Sequence, residues 1–295
     1  MPCKAQTYSN KLVTPSNRSP LFHALISGST ELVSFLINSG ADVHEESGVF
    51  RTSLFQYAFA LRQMDCAMLL LARDVEVHHV NTKGWTPAFS LFGSFPPDAQ
   101  NKSCNEYLDI LSASSFADFD LQDGKGWTCM HRAAAFGNAA DIKQLLRLNV
   151  SAMLKTFKLS WLSIFCAVQF GNMSTFKDLV KVHLNVLALT DVRKWSLLHV
   201  AVNAQKIDIM CELVSMGADP HSRSMATKFL VPDGLKGHSV TPGDIAILRG
   251  PEVLSAYVRA LKGCGHELEV TDDVEDNESD IFWPTCELSE VVIGT

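Results

Sequence analysis

Residues 195–201 read Trp-Ser-Leu-Leu-His-Val-Ala, and this segment decides the fold because similar segments precede it at regular distances. The chain has only five tryptophans in 295 residues, and four of them stand just before a run of small and apolar residues. These four are Trp85, Trp127, Trp161 and Trp195, at intervals of 42, 34 and 34 residues. A rare residue that recurs at a period in the low thirties indicates a stacked repeat, in which each repeat contacts mainly its neighbours.

A second series, made mostly of small residues, runs in step with the tryptophans. Its members are Ala24, Ala58, Leu91, Ala133, Ala167, Ala201 and Ala246, and only Leu91 is large. A small side chain at a fixed point in each repeat lets two helix backbones approach closely. Longer steps of 42 and 45 residues indicate insertions, which we place at 93–104 and 221–240. Such insertions map to loops, either as tolerated growth or as part of a binding face.

The motif around these positions resembles the ankyrin repeat, whose pattern is Thr-Pro-Leu-His-x-Ala followed by Gly-Ala-Asp. Residues 19–24, 128–133 and 196–201 are similar to the first part, and residues 40–42 and 217–219 match the second. The pairs at 86–87 and 241–242 keep Thr-Pro, in which proline suits the first position of a helix. Spacing and motif together predict seven repeats that start near 19, 53, 86, 128, 162, 196 and 241.

The resemblance implies two antiparallel helices in each repeat and a projecting β-hairpin finger between repeats. Independently, residues 31–38 and 208–214 carry apolar residues at the three-to-four spacing of an amphipathic helix. We therefore predict an all-α fold, an ankyrin-repeat solenoid of about seven helix-turn-helix repeats with β-hairpin fingers. The predicted organisation is an N-terminal extension over 1–15, repeats over 16–261 and an acidic C-terminal tail over 262–295.

Most of the charge lies beyond the repeats. The formal net charge is −7, from 25 basic and 32 acidic residues. Region 262–295 holds ten acids and one lysine, a net −9, which leaves 24 basic and 22 acidic residues, or +2, elsewhere. The repeats lack the basic stripe that nucleic-acid binding needs, so we expect no nucleic-acid partner. The tail is poor in apolar residues, and we expect it to be mobile.

An aromatic cluster, Ile281-Phe282-Trp283-Pro284, interrupts the acidic tail. One hypothesis, which we favour, is that this cluster folds back and covers the exposed face of the last repeat. The other is that it docks into a partner's groove as a linear motif. The recurring tryptophans and the acidic Phe-Trp tail also resemble certain ankyrin proteins of fungi.

Cysteine usage and hydropathy indicate a reduced intracellular setting, cytoplasm or nucleus. The eight cysteines show no paired spacing, and four fall at helix positions where a thiol acts as a small apolar group: Cys66, Cys129, Cys166 and Cys211. The first residues do not resemble a signal peptide, and no apolar run is long enough to cross a bilayer. We expect no membrane association and a monomer.

The finger tips are the predicted contact residues for a protein partner, because they vary between repeats and project from the stack. They include Phe50, Arg51, Lys83, Gln122, Asp123, Lys125, Arg193 and Lys194. The four periodic tryptophans recur in the stack, so we interpret them as packing residues rather than as an aromatic binding strip. The resemblance implies that His131 and His199 hydrogen-bond backbone between repeats, a buried structural role.

Signatures of catalysis, cofactors and metals are missing. There is no phosphate loop with Lys-Ser/Thr, no Gly-x-Ser-x-Gly and no His-Glu-x-x-His. The close pairs His78-His79 and Cys264-Gly-His266 have no partner pair at zinc-like spacing. We predict a non-catalytic scaffold that binds a protein through its finger tips and concave inner helices. The alternatives are a transcription-linked regulator that recruits factors through its tail, and a regulatory portion of a larger signalling protein.

Overall fold

The computed structural model describes residues 18–93 and 104–265. The predicted extension at 1–15, most of the insertion at 93–104 and the tail beyond 265 lie outside the described residues. Within those two ranges the chain forms fourteen α-helices in seven consecutive pairs, with three 3₁₀ turns and one two-stranded sheet. The prediction of an all-α fold is confirmed.

The helix pairs follow one another at the predicted period. Their bounds are α1 Pro20–Ile26 and α2 Thr30–Asn38, α3 Leu54–Ala60 and α4 Met64–Leu71, α5 Pro87–Leu91 and α6 Asn105–Ala113, α7 Cys129–Phe136 and α8 Ala139–Arg147, α9 Ser163–Phe170 and α10 Met173–Val180, α11 Leu197–Asn203 and α12 Ile207–Ser215, α13 Pro242–Leu248 and α14 Pro251–Gly263. The 3₁₀ turns are Asp118–Asp120, Val186–Ala188 and Asp233–Leu235.

The chain divides into two compact units. The described part of the first unit comprises residues 18–93, 104–132 and 143–151, and that of the second comprises 133–142 and 152–265. In the first unit, α1, α3 and α5 pack side by side; in the second, α9, α11 and α13 do so. The predicted series of small residues lies on the first helices of the seven pairs, and every alanine of the series is buried, which permits the close packing.

Side-chain capping explains where most of the first helices begin, with the exception of α9, whose N-cap residue Leu162 has no side-chain cap. The Ser19 hydroxyl accepts from the Phe22 N–H at 3.0 Å, and the Thr86 hydroxyl accepts from the Phe89 N–H at 3.1 Å. Reciprocal caps, in which the residue three positions later also bonds back, start α3, α11 and α13. One such cap typically stabilises a helix by about 1 kcal/mol. Proline occupies the first position of α1, α5 and α13.

The fingers are tight turns, and only the first is a strand pair among the described residues. Strand β1 (Glu46–Ser47) pairs antiparallel with β2 (Thr52–Ser53), with Glu46 opposite Ser53. The sixth repeat adds one isolated bridge, between Thr190 and Ser196. The other described fingers have no strand pair and close through one or two backbone hydrogen bonds each, so among the described residues the prediction of β-hairpins holds in full for the first finger alone.

The insertion at 221–240 is folded against the second unit. Leu235 is fully buried, and a Cβ placed on Gly234 would lie 2.9 Å from Leu248 Cδ1, so the backbone there runs close to α13. The Ser224 N–H donates to the Val240 carbonyl at 2.9 Å, and the Ser224 hydroxyl accepts from the Val240 N–H at 2.9 Å. The loop is thereby closed at its base like an ordinary finger.

Three of the four helical cysteines behave as predicted. Cys66, Cys129 and Cys166 are buried, and so is Cys104 just before α6. Burial raises the pKa of the Cys129 thiol and of the Cys66 thiol. Cys211 also lies in a helix, α12, as predicted, but it is exposed rather than buried.

Candidate functional site: the finger edges

An Asn or Asp four residues before a tryptophan holds three of the fingers. In each case the side-chain Oδ1 accepts from two backbone N–H groups, two and four residues later. For Asn81 the two distances are 3.0 and 3.0 Å, for Asp123 they are 2.8 and 2.9 Å, and for Asp191 they are 2.8 and 3.1 Å. This arrangement satisfies turn N–H groups that no regular ladder would satisfy.

The residue before each periodic tryptophan has left-handed backbone geometry. It is Gly84 with φ 81° and Gly126 with φ 82°, then Ser160 with φ 52° and Lys194 with φ 62°. Glycine adopts this region without strain, whereas other residues do so at a cost of about 1–2 kcal/mol. The finger of the sixth repeat therefore carries a lysine where the turn favours glycine.

The tryptophans pack within the stack. Each indole lies near the ring four residues later, at centroid distances of 5.3 Å for Trp85 and 6.0 Å for the other three. The Trp85 indole N–H donates to Asp123 Oδ2 at 3.3 Å, and the Trp161 indole N–H donates to Asp191 Oδ2 at 3.1 Å. Trp161 and Trp195 are buried, and Trp85 and Trp127 are half-buried. Such contacts join a finger to the next one.

His199 links two repeats through a neutral imidazole. Its Nδ1 accepts from the Ser196 N–H at 3.2 Å and from the Ser196 hydroxyl at 2.8 Å, and its Nε2 donates to the Val240 carbonyl at 3.2 Å. A proton on Nδ1 would face the Ser196 N–H, so this geometry requires the neutral form. Burial lowers the pKa of His199 to about 4.

The equivalent positions in two other repeats make matching contacts. His131 Nδ1 accepts from the Thr128 N–H at 3.1 Å and lies 2.9 Å from the Thr128 hydroxyl. Gln56 holds the same position in the second repeat, and its Nε2 donates to the Trp85 carbonyl at 2.6 Å. An amide can thus make the same link between repeats as an imidazole, but without a titratable group.

Two of the predicted contact residues do not project from finger tips. Asp123 is buried, because its two carboxylate oxygens accept from its own turn and from Trp85. The Arg193 residue is 5% exposed, and its guanidinium bonds to Asp191 Oδ2 at 2.9 Å from Nε and at 2.6 Å from Nη2. We exclude both residues from the candidate contact surface.

Arg193 instead holds the long insertion against the stack. Its guanidinium lies 3.9 Å from the Trp195 ring centroid, and its Nη1 donates to the Leu230 carbonyl of the insertion. The Arg193 carbonyl accepts from the Met225 N–H at 2.8 Å. A buried ion pair with all these partners explains why this side chain turns inward from its tip.

Five of the six remaining predicted residues lie along the fingers of the first unit, and most of these five have a local partner; Lys194 belongs to the second unit. Arg51 pairs with Glu46 at 2.6 Å, and Lys83 Nζ lies 3.7 Å from the Phe50 ring centroid. The Gln122 amide donates to the Gly126 carbonyl at 2.8 Å. Lys125 is exposed. Backbone bonds from the Thr82 N–H to the Phe50 carbonyl and from the Gly124 N–H to the Lys83 carbonyl join these fingers into one edge, the first edge.

The fingers of the second unit form another edge, which we call the second edge. The Val192 N–H donates to the Leu159 carbonyl at 3.2 Å, and Met225 bonds to Arg193 as described. This edge presents exposed apolar side chains interleaved with exposed lysines. The apolar members are Phe157, Val192, Met225 and Phe229, and the basic members are Lys158, Lys194 and Lys228. None of these three lysines forms an ion pair within residues 18–93 and 104–265.

Comparison with known families agrees with this geometry. Residues 16–45 match the family described as "Ankyrin repeat", residues 193–225 match it again, and residues 98–147 match "Ankyrin repeats (many copies)". The chain is an ankyrin-repeat protein. No curated protein matches it. Ankyrin repeats are modules of protein–protein interaction and are generally non-catalytic.

The ankyrin repeats bring no metal-binding cluster together within the described ranges. His78 Nδ1 lies 2.9 Å from Asp118 Oδ2, and His79 Nε2 lies 2.8 Å from the Arg51 carbonyl, so the two neighbouring imidazoles have separate partners. His266 lies outside the described residues. No helix among residues 18–93 and 104–265 has both the length and the apolar character needed to cross a membrane.

Proposed function

We propose that this ankyrin-repeat protein is a non-catalytic adaptor that holds a protein partner along the second edge. The observation that supports this most directly is the alternation of exposed apolar and basic side chains on that edge. Phe157 is 62% exposed and Met225 and Phe229 are about half-exposed, in positions where soluble proteins usually place polar side chains. Such a strip favours a segment that combines acidic and apolar side chains.

Rigid presentation is the mechanism. The fingers are joined by backbone hydrogen bonds, and the buried Asp191 carboxylate and the Thr156 hydroxyl fix two of their turns, so little conformational entropy is lost at the edge when a partner binds. The lysines then select acidic partners and speed their association, and the apolar side chains supply buried area. The first edge has the same scaffold, but several of its side chains already have partners.

The test is peptide display from the proteome of the native host against the full chain. We expect enrichment of segments with acidic residues beside aromatic or aliphatic ones. The double variant Lys158→Glu with Lys194→Glu should abolish this enrichment. The matched control is Lys177→Glu with Lys181→Glu, the same charge change on α10 and the residue after it, where the lysines pair with Glu212 and Asp178. Enrichment that survives the finger variant, or basic segments in its place, would overturn the proposal.

A further inference from the structure

The last described helix, α14, carries two apolar stripes, and only one is covered. Val253, Tyr257 and Leu261 are buried against the stack. Leu254 and Val258 lie on the next stripe and are half-buried. They line a shallow groove of about 440 Å³ together with Pro251, Ser255, Arg259 and Lys262. Every residue that lines this groove, which we call the α14 groove, belongs to α14 itself.

The preceding repeat shows what covers this stripe elsewhere in the second unit. Met210 and Val214 of α12 stand 44 residues before Leu254 and Val258, and both are 1% exposed. Two helices pack against α12, its own pair partner α11 and the helix of the next repeat, α14. On α14 the same two positions are only half-buried, and none of the described residues supplies a further helix that would cover them. An uncovered apolar stripe at the side of a repeat stack is an aggregation hazard.

We propose that Ile281, Phe282 and Trp283 of this chain fill the α14 groove. The groove takes an apolar segment, because Leu254 and Val258 form its floor, and it favours an acidic one, because Arg259 and Lys262 line it. The chain from 266 to 295 has that composition: an Ile-Phe-Trp cluster beside ten acids and no lysine or arginine. The acids before the cluster are Glu267, Glu269, Asp272, Asp273, Glu275, Asp276, Glu278 and Asp280.

The connecting length allows this contact within one molecule. Fifteen residues, 266–280, separate the described end of the chain from Ile281. Extended at about 3.3 Å per residue they reach roughly 50 Å. The 13-residue α14 is about 20 Å long. The cluster can therefore return to any part of the groove while its acids pass Arg259 and Lys262. This contact is separate from the finger edges and goes beyond the adaptor function.

The experiment uses the full chain labelled with 5-fluorotryptophan and followed by ¹⁹F NMR. Substitution Trp283→Phe identifies the Trp283 resonance, and a synthetic peptide of residues 275–290 with the same label gives the resonance of the unbound cluster. We expect the Trp283 resonance of the native chain to differ from that of the peptide. The double variant Leu254→Glu with Val258→Glu should move it to the peptide position. The control Leu184→Glu, on a fully exposed leucine of the same unit, should leave it in place.

The other four tryptophan resonances report whether the fold is retained. If the α14 double variant disturbs them, Arg259→Glu with Lys262→Glu replaces it, since both side chains are exposed. A Trp283 resonance at the peptide position in the native chain would overturn the proposal. So would a resonance that neither variant moves. A resonance that moves with protein concentration would show that a second copy fills the groove, which also contradicts docking within one chain.

Discussion

The first and second edges share a turn but differ in the side chains that the turn presents. On both edges an Asn or Asp holds the finger and a tryptophan packs behind it. On the first edge Arg51 pairs with Glu46, and Lys83 lies over Phe50. On the second edge the arginine turns inward, and phenylalanine, methionine and lysine side chains face solvent. The same finger scaffold can therefore present charged side chains that are paired within the edge, or apolar and basic side chains that are open to a partner.

The largest expected difference between the edges is in the two arginines. Arg193→Glu removes a buried ion pair and leaves Asp191 next to a like charge, so we expect a loss of about 3–5 kcal/mol in the free energy of unfolding. Arg51→Glu breaks an exposed pair and should lose less than about 1 kcal/mol. Urea unfolding of the two variants measures both values. Similar losses of stability for the two variants would contradict the conclusion that the buried Arg193 side chain holds the insertion against the repeats.

Acid should weaken the repeat contact behind the second edge. Because burial lowers the pKa of His199 from 6.5 to about 4, the unfolded chain binds a proton at a pH where the folded chain does not. The contribution of neutral His199 to the free energy of unfolding is complete above about pH 6.5 and is lost as the pH falls towards 4. The largest loss of stability that this one group can cause is roughly 3 kcal/mol.

The matched variant for this prediction is His199→Gln, which copies the Gln56 link of the second repeat. Stability measured at several pH values between 7 and 4 should fall less steeply in the variant than in the native chain. Parallel pH curves would show that His199 is not the group that titrates.

Charge reversal should separate the edges in binding. Lys158→Glu with Lys194→Glu should lower the affinity for an acidic–apolar peptide at least tenfold, equivalent to about 1.4 kcal/mol. The corresponding pair on the first edge, Lys83→Glu with Lys125→Glu, should change it less than about threefold, because the exposed apolar side chains of that edge are Val49, Val80 and Leu121, with no exposed aromatic ring or methionine to bury against the same peptide. Isothermal titration calorimetry gives both constants. If the first-edge variant has the larger effect, the partner binds there.

The smallest effect is expected at the turn itself. Lys194 has φ 62° where Gly84 and Gly126 stand in other fingers. Lys194→Gly relieves the left-handed strain of the folded state but also raises the conformational entropy of the unfolded chain. We therefore expect a net gain of about 0.5 kcal/mol in the free energy of unfolding. Gly84→Lys on the first edge should have the opposite sign, and a Cβ there would also lie 3.1 Å from Asp123 Cα. Thermal unfolding of the two variants measures both changes in stability, and changes of the same sign would contradict the prediction.

Local sequence signals predicted the helices well. The prediction of contact residues failed where a side chain is buried by residues far away in the sequence. Caps such as Ser196 act within one repeat, and the buried alanines recur at the repeat period, so both can be recognised in the sequence. Asp123 and Arg193 turn inward because of Trp85 and Leu230, which lie 38 and 37 residues away. Phe157, Met225 and Phe229 were missed because they stand in irregular fingers, and apolar residues at turn positions were the available signal.

The buried cysteines allow the local opening of individual repeats to be followed by the chemistry of their thiols. Cys66, Cys104, Cys129 and Cys166 stand in four successive repeats, and all four are buried. A thiol reagent reaches such a side chain only when its repeat opens, because burial both hides the sulfur and, at Cys66 and Cys129, disfavours the thiolate. The order in which these four positions become alkylated in the native chain is therefore a map of local opening, read one repeat at a time without any introduced label.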